Sequence, residues 1–268
     1  MTIHQELAAS EARGEVVCLC TITSSQGSTP RRVGAKMLVK QDGSFLGTIG
    51  GGEMEGRVIA EARLAMQDGQ PRTLTYRYND PGRGDVGVCG GQVEVFVEPV
   101  FPPAILILVG AGHVGQAVAH LAKWLDFRVV VSDDRPEFCT PEAVPDADMF
   151  IECALAELPS RIQINRSTYL VLTTRGMNVD VEGLPALLET AAAYIGVIGS
   201  RRRWTLTKNA LLDNGVAAEK LERVRSPMGL ELNAETPREI AVSIMAEIIM
   251  LSRGGDGAPM ADPRPKSD

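Results

Sequence analysis

The sequence predicts an α/β protein in two parts, an N-terminal α+β domain over residues 1–100 and a doubly wound parallel-sheet domain over residues 104–252. Three observations carry that prediction. A glycine fingerprint, Gly110-Ala111-Gly112-His113-Val114-Gly115, opens in mid-chain directly after the apolar run Ala104 to Val109. Beyond it, strand-like and helix-like stretches alternate, with strands expected near 104–109, 127–132, 148–153, 168–173 and 193–198, which is the pattern of a parallel sheet covered by helices on both faces. Pro99, Pro102 and Pro103 mark the boundary.

Taken in chain order, Ile3 to Arg13 reads as a short helix and Glu15 to Thr23 as a strand rich in Val, Cys, Ile and Thr. The loop Ser24 to Gly34 is turn chemistry that carries adjacent arginines. Strands Lys36 to Lys40 and Ser44 to Ile49 are joined by Asp42-Gly43, which predicts a type I′ hairpin turn with both central residues at positive φ. The second strand runs into Gly50-Gly51-Gly52, and apolar residues at helical spacing over Glu53 to Gln67 put that triple glycine at a strand-to-helix turn. Backbone N–H groups exposed there can cradle an anion. A strand at Thr73 to Tyr78, a glycine-rich loop at Asp80 to Gly91 and an alternating strand from Gln92 to Val97 complete the α+β part. The last helix is announced by Thr236 as N-cap, Pro237 at its first position and Glu239 closing a capping box before the apolar run Ile240 to Leu251. The Gly/Pro/Asp-rich tail, 253–268, is expected to be disordered.

Composition narrows the function. A net charge of -7 and a pI near 5.2 oppose a nucleic-acid surface or an anionic membrane as the main partner, since the long-range field repels both. No apolar stretch approaches the ~20 residues that span a bilayer. The polar start, Met1 to Gly14, carries no export signal pattern, so a cytoplasmic location is expected. The five cysteines form no C-x-x-C pair and the three histidines are scattered, so neither a metal site nor a disulfide framework is expected. Cys18 and Cys20, two apart on a strand, share one face and read as packing.

Several residues could carry chemistry. Gly110, Gly112 and Gly115 permit a tight turn and close approach of a pyrophosphate to a helix N-terminus, and Asp133 follows Gly110 by 23 residues, near the spacing of an acid that contacts ribose hydroxyls. His113 sits inside the fingerprint, where it is a local hydrogen-bonder first and a catalyst second, and Arg135 is either a loop charge or a phosphate contact. Ser200 is expected to cap a helix whose first turn carries Arg201-Arg202-Arg203; cations oppose the dipole there, which points to a docked anion at Arg201 or Arg202, or else to a solvated cluster. Arg31, Arg32 and Arg175 add positive groups at loops of an acidic chain. Cys89, in Gly87-Val88-Cys89-Gly90-Gly91, is either a small residue at a tight turn or a thiol held beside a ligand. Two ligand-shaped halves on one chain lead to the expectation of a site between them.

Six segments in order resemble the XdhC/CoxI family, the accessory proteins of molybdenum hydroxylases such as xanthine dehydrogenase. They are Gly27 to Met37, Gly47 to Gly52, Val88 to Phe96, Gly110 to Gly115, Ile195 to Arg202 and Ala234 to Pro237, spanning about residues 5 to 252. The resemblance implies a chaperone without catalysis of its own. Such a protein binds molybdenum cofactor, supports exchange of an oxo for a sulfido ligand by a cysteine desulfurase, and delivers the product to the apo-hydroxylase. On this view Cys89 lies near the molybdenum end, with Gly90 and Gly91 letting the backbone approach the ligand there, while Gly50, Gly51, Gly52 and one of the arginine sets hold phosphate and pterin. The chain departs from many relatives at Glu53 and Met177, where a cysteine or other small residue and a histidine are common, so the resemblance carries no metal or proton role to either. A homodimer is expected by analogy alone. Two other readings stand beside this one: an NAD(P)-dependent oxidoreductase, weakened by the lack of a Tyr-x-x-x-Lys pair, and a nucleotide-responsive binding module without catalysis.

Overall fold

The computed structural model describes residues 2–78 and 90–261. The chain divides into two compact units that meet in sequence at Pro102 and Pro103. The first comprises α1 (Ile3–Ala12), β1 (Val17–Gln26), β2 (Lys36–Lys40), β3 (Phe45–Gly47), α2 (Gly52–Asp68), β4 (Arg72–Arg77) and β5 (Gln92–Val100). Its sheet has the order β3-β2-β1-β5-β4 and every pairing is antiparallel. Cys18, Cys20, Ile22, Val93, Val95 and Val97 alternate onto one face, where Met54, Val58, Ala62 and Ala65 of α2 cover them. Both cysteines are fully buried, and contact with Cys18 together with burial pushes the Cys20 thiol up, so the pair packs as small apolar groups. A capping box between Thr2 and Gln5 starts α1.

The hairpin between β2 and β3 differs from the expected type I′ turn. Only Gly43 has positive φ, +87°, and its N–H donates to the Lys40 carbonyl at 3.0 Å. The Asp42 carboxylate meanwhile accepts from the Ser44 N–H at 2.9 Å and its hydroxyl at 2.6 Å. A short carboxylate that bonds the backbone two residues on favours this three-residue loop over the two-residue one. The strand beyond is shorter than expected because Gly47, at φ +87°, turns the chain where a Cβ would lie 2.6 Å from the Lys36 carbonyl.

The second unit contains β6 (Ile105–Val109), α3 (His113–Trp124), β7 (Arg128–Asp133), β8 (Met149–Glu152), α4 (Leu158–Arg161), β9 (Thr168–Leu172), α5 (Met177–Leu188), β10 (Tyr194–Val197), α6 (Arg201–Asp213), α7 (Ala218–Leu221), β11 (Val224–Arg225) and α8 (Pro237–Arg253). All strands are parallel in the order β11-β10-β9-β6-β7-β8, the doubly wound Rossmann order whose switch point lies between β6 and β9. Successive residues of β6 feed opposite cores. Ile107 and Val109 join Leu184, Leu187 and Leu211 on one face, while Leu106 and Leu108 join Val118, Ile244 and Ile248 on the other. The expected capping box of the last helix is present, Thr236 and Glu239 each bonding the other's backbone. The final turn closes at Gly254, and of the tail residues 262–268 lie outside the described residues. Among the described residues no helix is long and apolar enough to cross a membrane.

Candidate functional site

In the N-terminal unit, three glycine-rich segments meet at one end of the sheet. That end holds the last residue of β1, the first of β5 and the last of β4, with Gln26 opposite Gln92 and Gln92 opposite Arg77. The loop leaving β1 packs on Gly90-Gly91 so closely that a Cβ on Gly91 would lie 2.2 Å from the Ser28 carbonyl oxygen, and one on Gly27 2.8 Å from that of Gly90. On its other side the same loop touches the triple glycine, where a Cβ on Gly50 would lie 3.2 Å from Pro30. The Thr29 hydroxyl bonds Ser25 at 2.7 Å and the Arg31 carbonyl at 3.0 Å. The backbone is thus pinned, whereas the guanidinium groups of Arg31 and Arg32 are exposed, with no hydrogen-bond or ion-pair partner among the described residues. Cys89 and Val88 lie outside the described residues.

The triple-glycine turn holds a residue that sequence reasoning missed. Oε1 of Glu55 accepts from the N–H groups of Ile49 at 3.0 Å, Gly50 at 3.1 Å and Gly51 at 2.8 Å, and from the Thr48 hydroxyl at 2.5 Å. Burial pushes this carboxyl up, but the Thr48 hydroxyl and the three N–H groups outweigh it and hold it below the usual range. The available signal was an acid in the first turn of a helix that lacks a side-chain cap. Glu53 beside it pairs with Arg57 at 2.6 Å on the surface.

In the second unit a crevice of about 130 Å³ opens beyond the carboxyl ends of β6, β7, β8 and β9, lined by Gly110, Asp133, Arg135, Cys153, Thr174 and Arg175 among others. The fingerprint glycines have separate roles. Gly110 stands at φ +96°, and a Cβ on Gly115 would lie 2.3 Å from the Gly110 carbonyl, so only hydrogen allows α3 to begin so near β6. Asp133 is buried at 4% exposure, and its carboxylate is filled by the chain itself. Oδ2 accepts from Ala111 N–H at 3.0 Å and Arg135 Nη2 at 2.8 Å, and Oδ1 from Arg135 N–H at 3.0 Å and Nε at 2.9 Å. Arg135 also lies over the Phe138 ring at 3.9 Å. Burial opposes ionisation of Asp133, and the Arg135 guanidinium and Ala111 N–H reverse that, leaving the carboxyl below its ordinary value.

Asp133→Asn is expected to lower stability by about 2 kcal/mol at neutral pH. Because the folded carboxyl titrates below the unfolded one, the contribution is complete above the unfolded value and fades as pH falls through the folded one. The gap between protein and variant, read from urea midpoints, therefore shrinks below about pH 4; a gap independent of pH contradicts this.

The arginine run after β10 is divided. Ser200 caps α6, accepting from Arg203 N–H at 3.2 Å, as the sequence predicts. Arg203 turns inward, donating to the wholly buried Asp180 at 2.5 Å and to Thr174 Oγ1 at 2.9 Å, with the Thr174 hydroxyl also on Asp180. Arg201 and Arg202 remain exposed, their guanidinium groups without a partner among the described residues. Arg175 forms a two-bond pair with Asp134, at 2.5 and 2.7 Å. His113 lies instead on a groove of about 860 Å³ with His120, Leu121, Arg238 and Val242. Met177 is half-buried at the start of α5.

An antiparallel α+β unit followed by a Rossmann domain defines a two-domain protein with ligand-shaped loops in each half. A family model described as the XdhC Rossmann domain matches residues 106–248, and one described as the XdhC and CoxI family matches residues 10–77. The chain belongs to the XdhC/CoxI family. Over 98% of its length it is 36% identical to the uncharacterized protein YqeB of Escherichia coli. Over 58% of its length it is 35% identical to a Bacillus subtilis protein described as a probable xanthine dehydrogenase subunit. It spans about half of each of these relatives, 48% and 45%. The molybdenum cofactor insertion chaperone PaoD of Escherichia coli is 25% identical over 88% of this chain and 83% of its own. A crystal structure titled as a xanthine dehydrogenase from Bacillus halodurans shares the fold, with a TM-score of 0.51, 24% identity and 98% of both chains covered.

Proposed function

We propose that the chain is an accessory protein that binds molybdenum cofactor, supports its sulfuration by a cysteine desulfurase and delivers it to a xanthine dehydrogenase-type hydroxylase. Family membership and the likeness to a cofactor insertion chaperone support this reading. The observation that carries it is the rigid loop wedged between Gly90-Gly91 and Gly50, with Arg31 and Arg32 exposed and unpartnered among the described residues. Molybdopterin offers a phosphate to guanidinium groups and a soft, sulfur-bound metal to a thiol. Cys89, next to Gly90 in sequence, is the thiol proposed for the metal end. Arg201 and Arg202 are a second cationic set for an anionic ligand of the Rossmann half, whereas Arg175 is already engaged by the Asp134 carboxylate. A dinucleotide there finds less support, because the carboxylate at the ribose position already accepts four N–H groups from Ala111 and Arg135.

Anaerobic incubation of the full chain with molybdenum cofactor and, separately, with NAD(P)H tests the reading. Co-elution of molybdenum is expected, and hydride transfer without molybdenum binding would replace the chaperone by an oxidoreductase. Cys89→Ala is expected to weaken molybdenum retention while the circular dichroism spectrum stays unchanged; unaltered retention removes this thiol from the site.

A further inference from the structure

Gly50, Gly51 and Gly52 stand in succession at φ +143°, +81° and +67°. Such a run curls the backbone so that neighbouring N–H groups converge, the geometry by which other loops gather a phosphate. Here one carboxylate oxygen, Glu55 Oε1, already takes the N–H groups of Ile49, Gly50 and Gly51 as well as the Thr48 hydroxyl. It reaches them from the first turn of the helix that the loop introduces, and Glu55 is buried.

An external phosphate cannot share those three donors. It would have to displace a carboxylate that carries the same charge sign, is tethered one helical turn away and loses no translational freedom on binding. The nest has a second consequence through packing. Gly50 packs closely on Pro30 and Met54, where a Cβ would lie 3.2 Å from each, and Pro30 immediately precedes Arg31 and Arg32. A loop held fixed by Glu55 therefore fixes one wall of the arginine loop, whose other wall is Gly90-Gly91.

We propose that Glu55 is a built-in anion that fills the triple-glycine nest, so that Gly50, Gly51 and Gly52 position the arginine loop, and Arg31 and Arg32 hold the anionic end of the ligand. Glu55 is a positioning residue in this account. The part given to the arginines rests on the function proposed above; the nest itself is tested without molybdenum, so the two can fail separately.

The test is a titration of the isotope-labelled full chain with inorganic phosphate, read at the amide resonances of Ile49, Gly50 and Gly51. In the protein with Glu55 these resonances are expected to stay in place. In Glu55→Ala they are expected to move saturably with phosphate, and without phosphate their exchange with solvent rises about tenfold or more. Movement with Glu55 present overturns the proposal, as do resonances that ignore phosphate in a folded Glu55→Ala. If Glu55→Ala does not fold, Glu55→Gln reads the same point. Its neutral amide is a weaker acceptor and repels no anion, so phosphate is expected to displace it and move the three resonances saturably; resonances that ignore phosphate in a folded Glu55→Gln overturn the proposal.

Discussion

Arg203→Ala is expected to destabilise the Rossmann unit by about 3–5 kcal/mol, because it leaves the Asp180 carboxylate charged and buried without its counter-ion. Asp180 is wholly buried, and its other side-chain partner among the described residues is the Thr174 hydroxyl. Water cannot readily replace the guanidinium at so enclosed a carboxylate. Both tryptophans of the chain, Trp124 and Trp204, lie in this unit, so urea unfolding followed by their fluorescence reports it selectively. Adding Asp180→Leu to Arg203→Ala is expected to recover a large part of the loss, since the orphaned charge is gone. A loss below about 1 kcal/mol for Arg203→Ala alone, the range of exposed ion pairs, would mean that Asp180 finds another partner. The effect reaches the candidate ligand surface as well. Arg203 ties the first turn of α6, which carries Arg201 and Arg202, to the Thr174 loop that carries Arg175.

Gly91→Ala is expected to cost about 2–4 kcal/mol in the N-terminal unit and to abolish cofactor retention. The added Cβ would stand 2.2 Å from the Ser28 carbonyl oxygen and 2.8 Å from that of Gln26. Both are backbone atoms, so no rotation of a side chain relieves the overlap; the arginine loop must move off the sheet end. Gly90→Ala is the control. Its Cβ meets nothing within 4 Å, and only the positive φ of +80° opposes it, worth about 1 kcal/mol. Hydrogen exchange along the β1–β5 ladder separates the two, with faster exchange at the Gln26–Gln92 end in Gly91→Ala and little change in Gly90→Ala. Equal behaviour of the two variants would show that the loop has slack the structure does not display.

The fold was legible where periodicity and punctuation agree. The five expected strands of the parallel sheet fall within a residue or two of β6, β7, β8, β9 and β10, because apolar runs buried on both faces and bounded by turn residues leave little choice. The sixth strand, Val224–Arg225, is two residues long and has no period to detect. The helix from Pro237 could be placed to the residue, since its capping box is written in three side chains. The hairpin at Asp42-Gly43 was legible as a turn but not as its type, which depends on where the Asp42 carboxylate bonds. The candidate site was legible as glycines and arginines, and less so as partners. Spacing indicates that Asp133 can face a ribose, but not that Arg135 fills its carboxylate. It marks Gly50 to Gly52 as an anion nest without revealing that Glu55 is the anion. Of three successive arginines, it does not single out Arg203 as the one turned inward. In each case a side chain folds back on its own neighbourhood, and that depends on backbone direction in three dimensions, not on residue type.

Molybdenum content after anaerobic gel filtration, compared between the full chain and its Arg31→Glu/Arg32→Glu variant, tests the central claim most directly. The account predicts stoichiometric molybdenum on the unaltered chain and about a tenfold or greater loss in affinity for the variant, whose fold is unchanged because neither guanidinium has a partner to lose among the described residues. Full retention by the charge-reversed chain, or no molybdenum on either, would contradict it.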